Sequence, residues 1–351
     1  MNTNKYSNKK IAWFPEKLQS MRDGITTAPI YVRIKPTNRC NHNCYFCVYN
    51  PEYSKMHNDI NHIDEISKED MQNILTDLHQ IGVKAVTYSG GGEPLVHKNI
   101  CDILRQTLDY NIDLSMLTNG ELLKDERADL LSNAKWVRIS MDYYNAELFA
   151  STRGGNEKRY LKIIDNIKKF AKNVDSKECE LGVNYIITKD NFSGLIEAAK
   201  VLTDIGINNI RFSPVWTTDF HEYHSEIKNI VREQLDDIKA TYNNKSKVVY
   251  DSYNIDNQNC FCSYKQCYSM QVIPVIGADK KVYNCHNKAY DMTGLIGSIE
   301  NNSFSDLWFS KETANHFKQF RPDLDCKHQC ANNAKNEFIH ELMDCYGDNY
   351  V

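Results

Sequence analysis

Short apolar runs alternate along the chain with segments whose apolar residues recur at helical spacing. The runs Tyr31–Ile34, Val83–Ser89, Asp113–Leu117, Trp136–Met141, Leu181–Ile187 and Asn209–Ser213 predict strands. Between the first two, Ser67 with Asp70 three residues on opens a stretch in which Met71, Ile74, Leu75, Leu78 and Ile81 share one face, the pattern of a capped amphipathic helix. Leu161, Ile164, Ile167 and Phe170 mark a second such face, a further helix is predicted over Phe192–Thr203, and a short one over Pro15–Arg22. Strands that are each followed by a helix imply an α/β chain with a parallel sheet, open or rolled into a partial barrel. In both geometries the chemistry belongs at the carboxyl ends of the strands.

The composition narrows the class. With 351 residues, 41% hydrophobic and 25% charged, the chain can bury a substantial core, and one large domain with a smaller companion is expected. A net charge of -4, with basic residues interspersed among acidic ones, leaves no footprint for nucleic acid. No apolar run approaches the length of a membrane span, and the polar Met1–Lys10 has no apolar stretch behind it, so a cytoplasmic protein is expected. Twelve cysteines in such a compartment favour metal or cluster ligation over disulfides.

Three of them fall within RCNHNCYFC, just beyond the end of the first predicted strand. Zinc sites usually close with four ligands built from C-x2-C pairs, whereas the C-x3-C-x2-C spacing of Cys40, Cys44 and Cys47 offers three thiolates from one loop. His42 is a conceivable fourth ligand, wedged between the first two. A [4Fe–4S] cube held by three thiolates keeps one iron open for a small-molecule ligand, and this suits the spacing better than three buried structural cysteines do.

With these residues the sequence resembles the radical S-adenosylmethionine superfamily, whose hallmark is that cysteine triplet after the first strand of a partial (β/α)6 barrel. Phe46 before the last cysteine fits as well. The resemblance implies an open iron that chelates S-adenosylmethionine, and reductive cleavage to a 5′-deoxyadenosyl radical that abstracts hydrogen from substrate. Further matches follow at successive strand ends. Gly91, Gly92 and Glu93 resemble the family's GGE segment, where backbone groups and the carboxylate meet the methionine ammonium. Thr118 and Asn119 of TNG, and Ser140 and Asp142 of SMD, stand where relatives bind the ribose and methionine end. Arg153 stands where relatives place an arginine for the methionine carboxylate. Each match alone also suits an ordinary turn or solvated loop; their order carries the resemblance.

The remaining cysteines gather mostly after residue 255. QVIPVI, GADK and KVYNC predict a hairpin with its turn at 277–280, between Cys267 and Cys285, and Cys326-x3-Cys330 follows. This resembles the twitch form of the SPASM domain and implies an auxiliary [4Fe–4S] cluster, although Lys280 occupies the usual glycine position of the hairpin. Cys267, Cys285, Cys326 and Cys330 are the candidate ligands; Cys260, Cys262 or Cys345 are possible substitutes, and a structural zinc is the alternative occupant. Cys101 and Cys179 are expected as buried spectators, and His221 and His224 as surface or substrate-loop residues. The expected division is an N-terminal extension at 1–29, the barrel at 30–225, a linker helix region at 226–259 and the auxiliary domain at 260–351.

The radical's target does not follow from family resemblance. The short segment before the first strand leaves no room for the recognition domain of many peptide-modifying relatives. Superfamily 2-deoxy-scyllo-inosamine dehydrogenases pair a barrel with one auxiliary cluster. Oxidation or rearrangement of a sugar, aminocyclitol or related polar metabolite is therefore expected, with a donor such as flavodoxin or ferredoxin. The alternatives are a peptide or protein maturase, a cysteine-rich binding module without catalysis, and a methyltransferase, for which no cobalamin-binding domain is evident.

Overall fold

The computed structural model describes residues 7–345 apart from 55–56, 58, 208, 243–247, 252, 254–261 and 327–329. Its spine is a ten-stranded sheet in the order β10-β9-β8-β1-β2-β3-β4-β5-β6-β7. The strands are β1 (Tyr31–Ile34), β2 (Ala85–Tyr88), β3 (Asp113–Thr118), β4 (Trp136–Met141), β5 (Glu180–Ile187), β6 (Asn209–Pro214), β7 (Val248–Asp251), β8 (Val275–Ile276), β9 (Lys281–Tyr283) and β10 (Leu295–Ser298). β1 to β7 run parallel in chain order. Helices return the chain between them: α2 (Lys68–Gln80), α3 (Ile100–Asp109), α4 (Asp125–Leu131), α5 (Ala146–Arg153), α6 (Glu157–Asn173), α7 (Leu195–Ile205), α8 (Phe220–Ser225) and α9 (Lys228–Tyr242), with α1 (Pro15–Arg22) ahead of them. The predicted cap holds, since the Ser67 hydroxyl accepts the Asp70 N–H at 3.0 Å. Val32, Ile34, Val86, Met116, Ile139, Val183 and Phe212 point into one continuous apolar core between sheet and helices.

The stretch expected as a linker instead extends the barrel: α9 leads into β7, which pairs with β6 from Asn209↔Val248 to Phe212↔Asp251. On the opposite edge the predicted hairpin forms, and its first strand, β8, pairs parallel with β1 through Arg33↔Val275 and Ile34↔Ile276. The hairpin is thus a continuation of the barrel sheet, which carries the Cys285 loop to the Cys47 loop. Tyr49, Val275, Tyr283, Ala289 and Tyr290 pack there, with Cys47 and Val48 against them. Lys280 adopts φ +56 at the turn, the left-handed conformation that explains why glycine is usual there.

Among the described residues no helix is long and apolar enough to cross a membrane.

Candidate active site

A cavity of about 660 Å³ opens at the carboxyl ends of the barrel strands. Cys40, Cys44, Cys47, Gly91, Gly92, Glu93, Thr118, Asn119, Ser140 and Arg153, drawn from five separate segments, all line it. Burial pushes the Cys40 thiol up to about 12 and Cys44 to about 11. They become thiolates when a cation supplies the compensating charge, as an iron cluster does.

The glycines serve packing as well as the ligand. A Cβ on Gly91 would lie 1.9 Å from Asn38 Oδ1, and one on Gly92 2.0 Å from the Arg39 carbonyl oxygen. The turn is therefore pressed against the start of the cysteine loop, where the Gly92 and Glu93 N–H groups donate to Thr37 O and Arg39 O at 3.1 and 2.9 Å. Glu93, expected at the methionine ammonium, is already engaged. Its carboxylate accepts from Thr118 Oγ1 (2.7 Å), the Asn119 N–H (2.7 Å) and the Leu95 N–H (3.1 Å), so it fastens the TNG loop to the GGE turn.

Arg153 ends α5 and is buried beneath the cavity. Its Nε donates to Asp142 Oδ1 at 2.5 Å, and its guanidinium lies 5.4 Å from the Tyr143 ring and 6.0 Å from that of Phe46. Asp142 and Phe46 thus stand behind Arg153 and do not line the cavity. The two terminal guanidinium nitrogens have no acceptor among the described residues and open on the cavity, a free fork for a carboxylate. His42 is tied elsewhere, with Nε2 2.8 Å from Glu121 Oε2, which Arg159 also grips at 2.6 Å. Its burial, with Arg153 nearby, lowers its pKa to about 4.

Five thiols collect beside this cavity. The four expected ones, Cys267, Cys285, Cys326 and Cys330, are electrostatic neighbours of one another, and Cys262 lies within hydrogen-bonding reach of Cys326 and Cys330. Burial raises the pKa of Cys267 and Cys285, and the hydrogen bond with Cys262, then burial, raises that of Cys326 and Cys330. The buried Asn336 amide donates to Cys267 Sγ at 3.4 Å. Cys260 lies outside the described residues, Cys345 is exposed, and Cys179 is a buried spectator while Cys101 is only partly covered. His224, expected as a surface or substrate-loop residue, is fully buried: Nε2 donates to Val215 O at 2.9 Å and Nδ1 lies 3.1 Å from the Tyr253 hydroxyl.

Comparison with known proteins agrees with this arrangement. The radical SAM superfamily model matches residues 34–186, where SAM denotes S-adenosylmethionine. A probable GTP 3′,8-cyclase of Methanocaldococcus jannaschii is 30% identical over 235 residues, covering 64% of this chain and 74% of that protein. The chain belongs to the radical SAM superfamily. As a member it is an enzyme that uses a [4Fe–4S] cluster and S-adenosylmethionine. A tungsten-containing aldehyde ferredoxin oxidoreductase cofactor-modifying protein of Pyrococcus furiosus is 21% identical over 351 residues, covering 91% of this chain and 92% of that one. Among solved radical SAM folds, Streptococcus suis SuiB bound to precursor peptide SuiA superposes with a TM-score of 0.64 at 16% identity, over 92% of this chain and 76% of that one.

Sequence reasoning overlooked three residues of the radical SAM cavity region: Lys35, Tyr49 and His286. Two had a signal, since Tyr49 follows Cys47 by two positions and His286 follows Cys285 directly. Lys35 had none.

Proposed function

We propose that this enzyme abstracts a hydrogen atom from a small polar substrate and passes the electron left behind to an auxiliary [4Fe–4S] cluster. Cys40, Cys44 and Cys47 hold the first cluster, and Cys267, Cys285, Cys326 and Cys330 the second. The observation that carries this reading is the adjacency of Cys285 to His286, because His286 lines the same cavity as the first three cysteines. When bound, the first cluster and S-adenosylmethionine supply the 5′-deoxyadenosyl radical that takes up the hydrogen atom. The chain's own part is to orient and enclose. Arg153 grips the methionine carboxylate, Ser140, Thr118 and Asn119 meet the ribose and methionine end, and the barrel keeps water from the reacting carbon. A substrate alcohol or amine that has lost hydrogen gives up a proton and one electron to become the carbonyl or imine, and four thiolates complete a cluster suited to accept that electron.

Metal analysis of anaerobically reconstituted protein tests the assignment. About eight irons per chain are expected for two cubes. Cys285→Ala should halve the iron and abolish product while some 5′-deoxyadenosine still forms, and Cys262→Ser should leave the iron unchanged. Zinc in place of half the iron, or unaltered product in Cys285→Ala, would contradict the electron-acceptor role.

A further inference from the structure

Beyond the S-adenosylmethionine end, a pair of cations stands behind the cavity wall that the radical chemistry itself does not use. Lys35 follows β1 with no exposed surface, and Arg33, two residues earlier within β1, is half-buried. Neither forms an ion pair with a carboxylate among the described residues. Among the described residues the Arg33 guanidinium donates to the Tyr31 hydroxyl alone, at 3.4 and 3.2 Å. Lys35 Nζ donates to the Tyr49 hydroxyl at 2.5 Å and to Gly90 O at 2.6 Å, and lies 3.5 Å from His286 Nδ1. Burial lowers the Lys35 pKa well below the usual lysine range, against the nearby Cys47 and Asp279, which raise it; in its charged form the ammonium has three protons for these three partners. That arrangement makes the Tyr49 oxygen and His286 Nδ1 acceptors. The Tyr49 proton and His286 Nε2–H are then left over as donors.

Both residues line the cavity, and neither leftover donor has an acceptor among the described residues. His286 Nε2 is not among the buried polar atoms that lack a partner, so it faces the open cavity. Two donors backed by the buried Lys35 and the half-buried Arg33 suit an anionic oxygen group and disfavour an ammonium. Of the carboxylates lining the cavity, Glu93 is already engaged and Glu52 sits on the exposed rim. We propose that Tyr49 and His286, oriented together by the buried ammonium of Lys35, form a subsite for a carboxylate on a small polar metabolite. This rests on the substrate-oxidising role proposed above and adds a class: a hydroxy or amino acid whose carboxylate is seated beside Cys285.

The test uses the reconstituted holoenzyme with S-adenosylmethionine and carboxyl-13C lactate, read by the relaxation that the paramagnetic clusters impart to the 13C nucleus. Lactate should show saturable enhancement, and propane-1,2-diol, which lacks the carboxylate, none at matched concentration. Tyr49→Phe and His286→Gln should each weaken lactate binding about tenfold, about 1.4 kcal/mol, with iron content and the electron paramagnetic resonance of the clusters unchanged. Lactate and the diol behaving alike would overturn the subsite, as would wild-type affinity in both variants together with shifted cluster potentials in Lys35→Met, which would make Lys35 a counter-charge to the clusters. Tighter binding of N-acetyl-aspartyl amide than of lactate would overturn the metabolite as the source. The Cys285→Ala variant separates the two readings. Lactate binding near the first cluster persists there if the subsite is right, whether or not the second cluster accepts electrons.

Discussion

Arg153 and Asp142 allow stability and cosubstrate binding to be separated. Both side chains are buried, at 5% and 0% exposure, and joined by the 2.5 Å bond from Nε to Oδ1, while Asp142 Oδ2 has no partner among the described residues. Arg153→Gln strands a buried carboxylate, which costs about 3–5 kcal/mol, a large part of the ~5–15 kcal/mol of a typical domain. It also removes the forked donor proposed for the methionine carboxylate, worth about 2–3 kcal/mol or about 30- to 150-fold in S-adenosylmethionine affinity. The double variant Asp142→Asn/Arg153→Gln removes both charges. Its stability should return to within about 2 kcal/mol of wild type, because neutral replacement of a buried pair is often harmless. Its affinity for S-adenosylmethionine should stay as weak as in the single variant. Anaerobic urea unfolding and calorimetric titration of reconstituted protein measure the two quantities independently. A loss under about 1 kcal/mol in Arg153→Gln would refute the burial argument. Full affinity in the double variant would refute the role of Arg153 toward the cosubstrate.

Two further outcomes follow from local geometry. Gly92→Ala should lose the first cluster, leaving about four irons, because its Cβ would meet the Arg39 backbone at 2.0 Å; Gly82→Ala, at φ +85 in open space, should cost only about 1–2 kcal/mol and keep all its iron. For His224, burial lowers the pKa from 6.5, so the unfolded chain takes up the proton first and stability falls as pH drops through about 6.5. Wild type should therefore lose stability relative to His224→Gln between pH 7.5 and 5.5, and parallel unfolding curves over that range would contradict the neutral, buried assignment.

The barrel was readable because its strands are apolar runs with clear ends; Tyr31–Ile34 and Trp136–Met141 match their predicted limits, as does α1. β7 escaped because Val248–Asp251, though as long as β1 and β2, is an edge strand without the flanking pattern of the other six. The cysteine triplet and the residues at the next strand ends announced themselves by spacing, and the cavity collects them. What spacing does not convey is division of labour: Glu93 is occupied by residues 118 and 119, and Asp142 supports Arg153. Lysine on a strand reads as a surface residue. Lys35 is buried because Tyr49, 14 positions away, and His286, 251 positions away, close over it, and only the tertiary fold brings those together. His224 was misread for a like reason, its partners being a carbonyl 9 residues and a tyrosine 29 residues distant.

The central claim is that the cavity cleaves S-adenosylmethionine through a cluster on Cys40, Cys44 and Cys47, and one reaction tests it directly. Anaerobically reconstituted protein is mixed with dithionite and S-adenosylmethionine, and 5′-deoxyadenosine is quantified by chromatography for wild type and for the Cys40→Ala/Cys44→Ala/Cys47→Ala variant. The expected result is 5′-deoxyadenosine from wild type and none from the triple variant, which keeps the iron held by the second set of thiols. Equal formation by both proteins, or none by a wild type carrying its full iron, would contradict it.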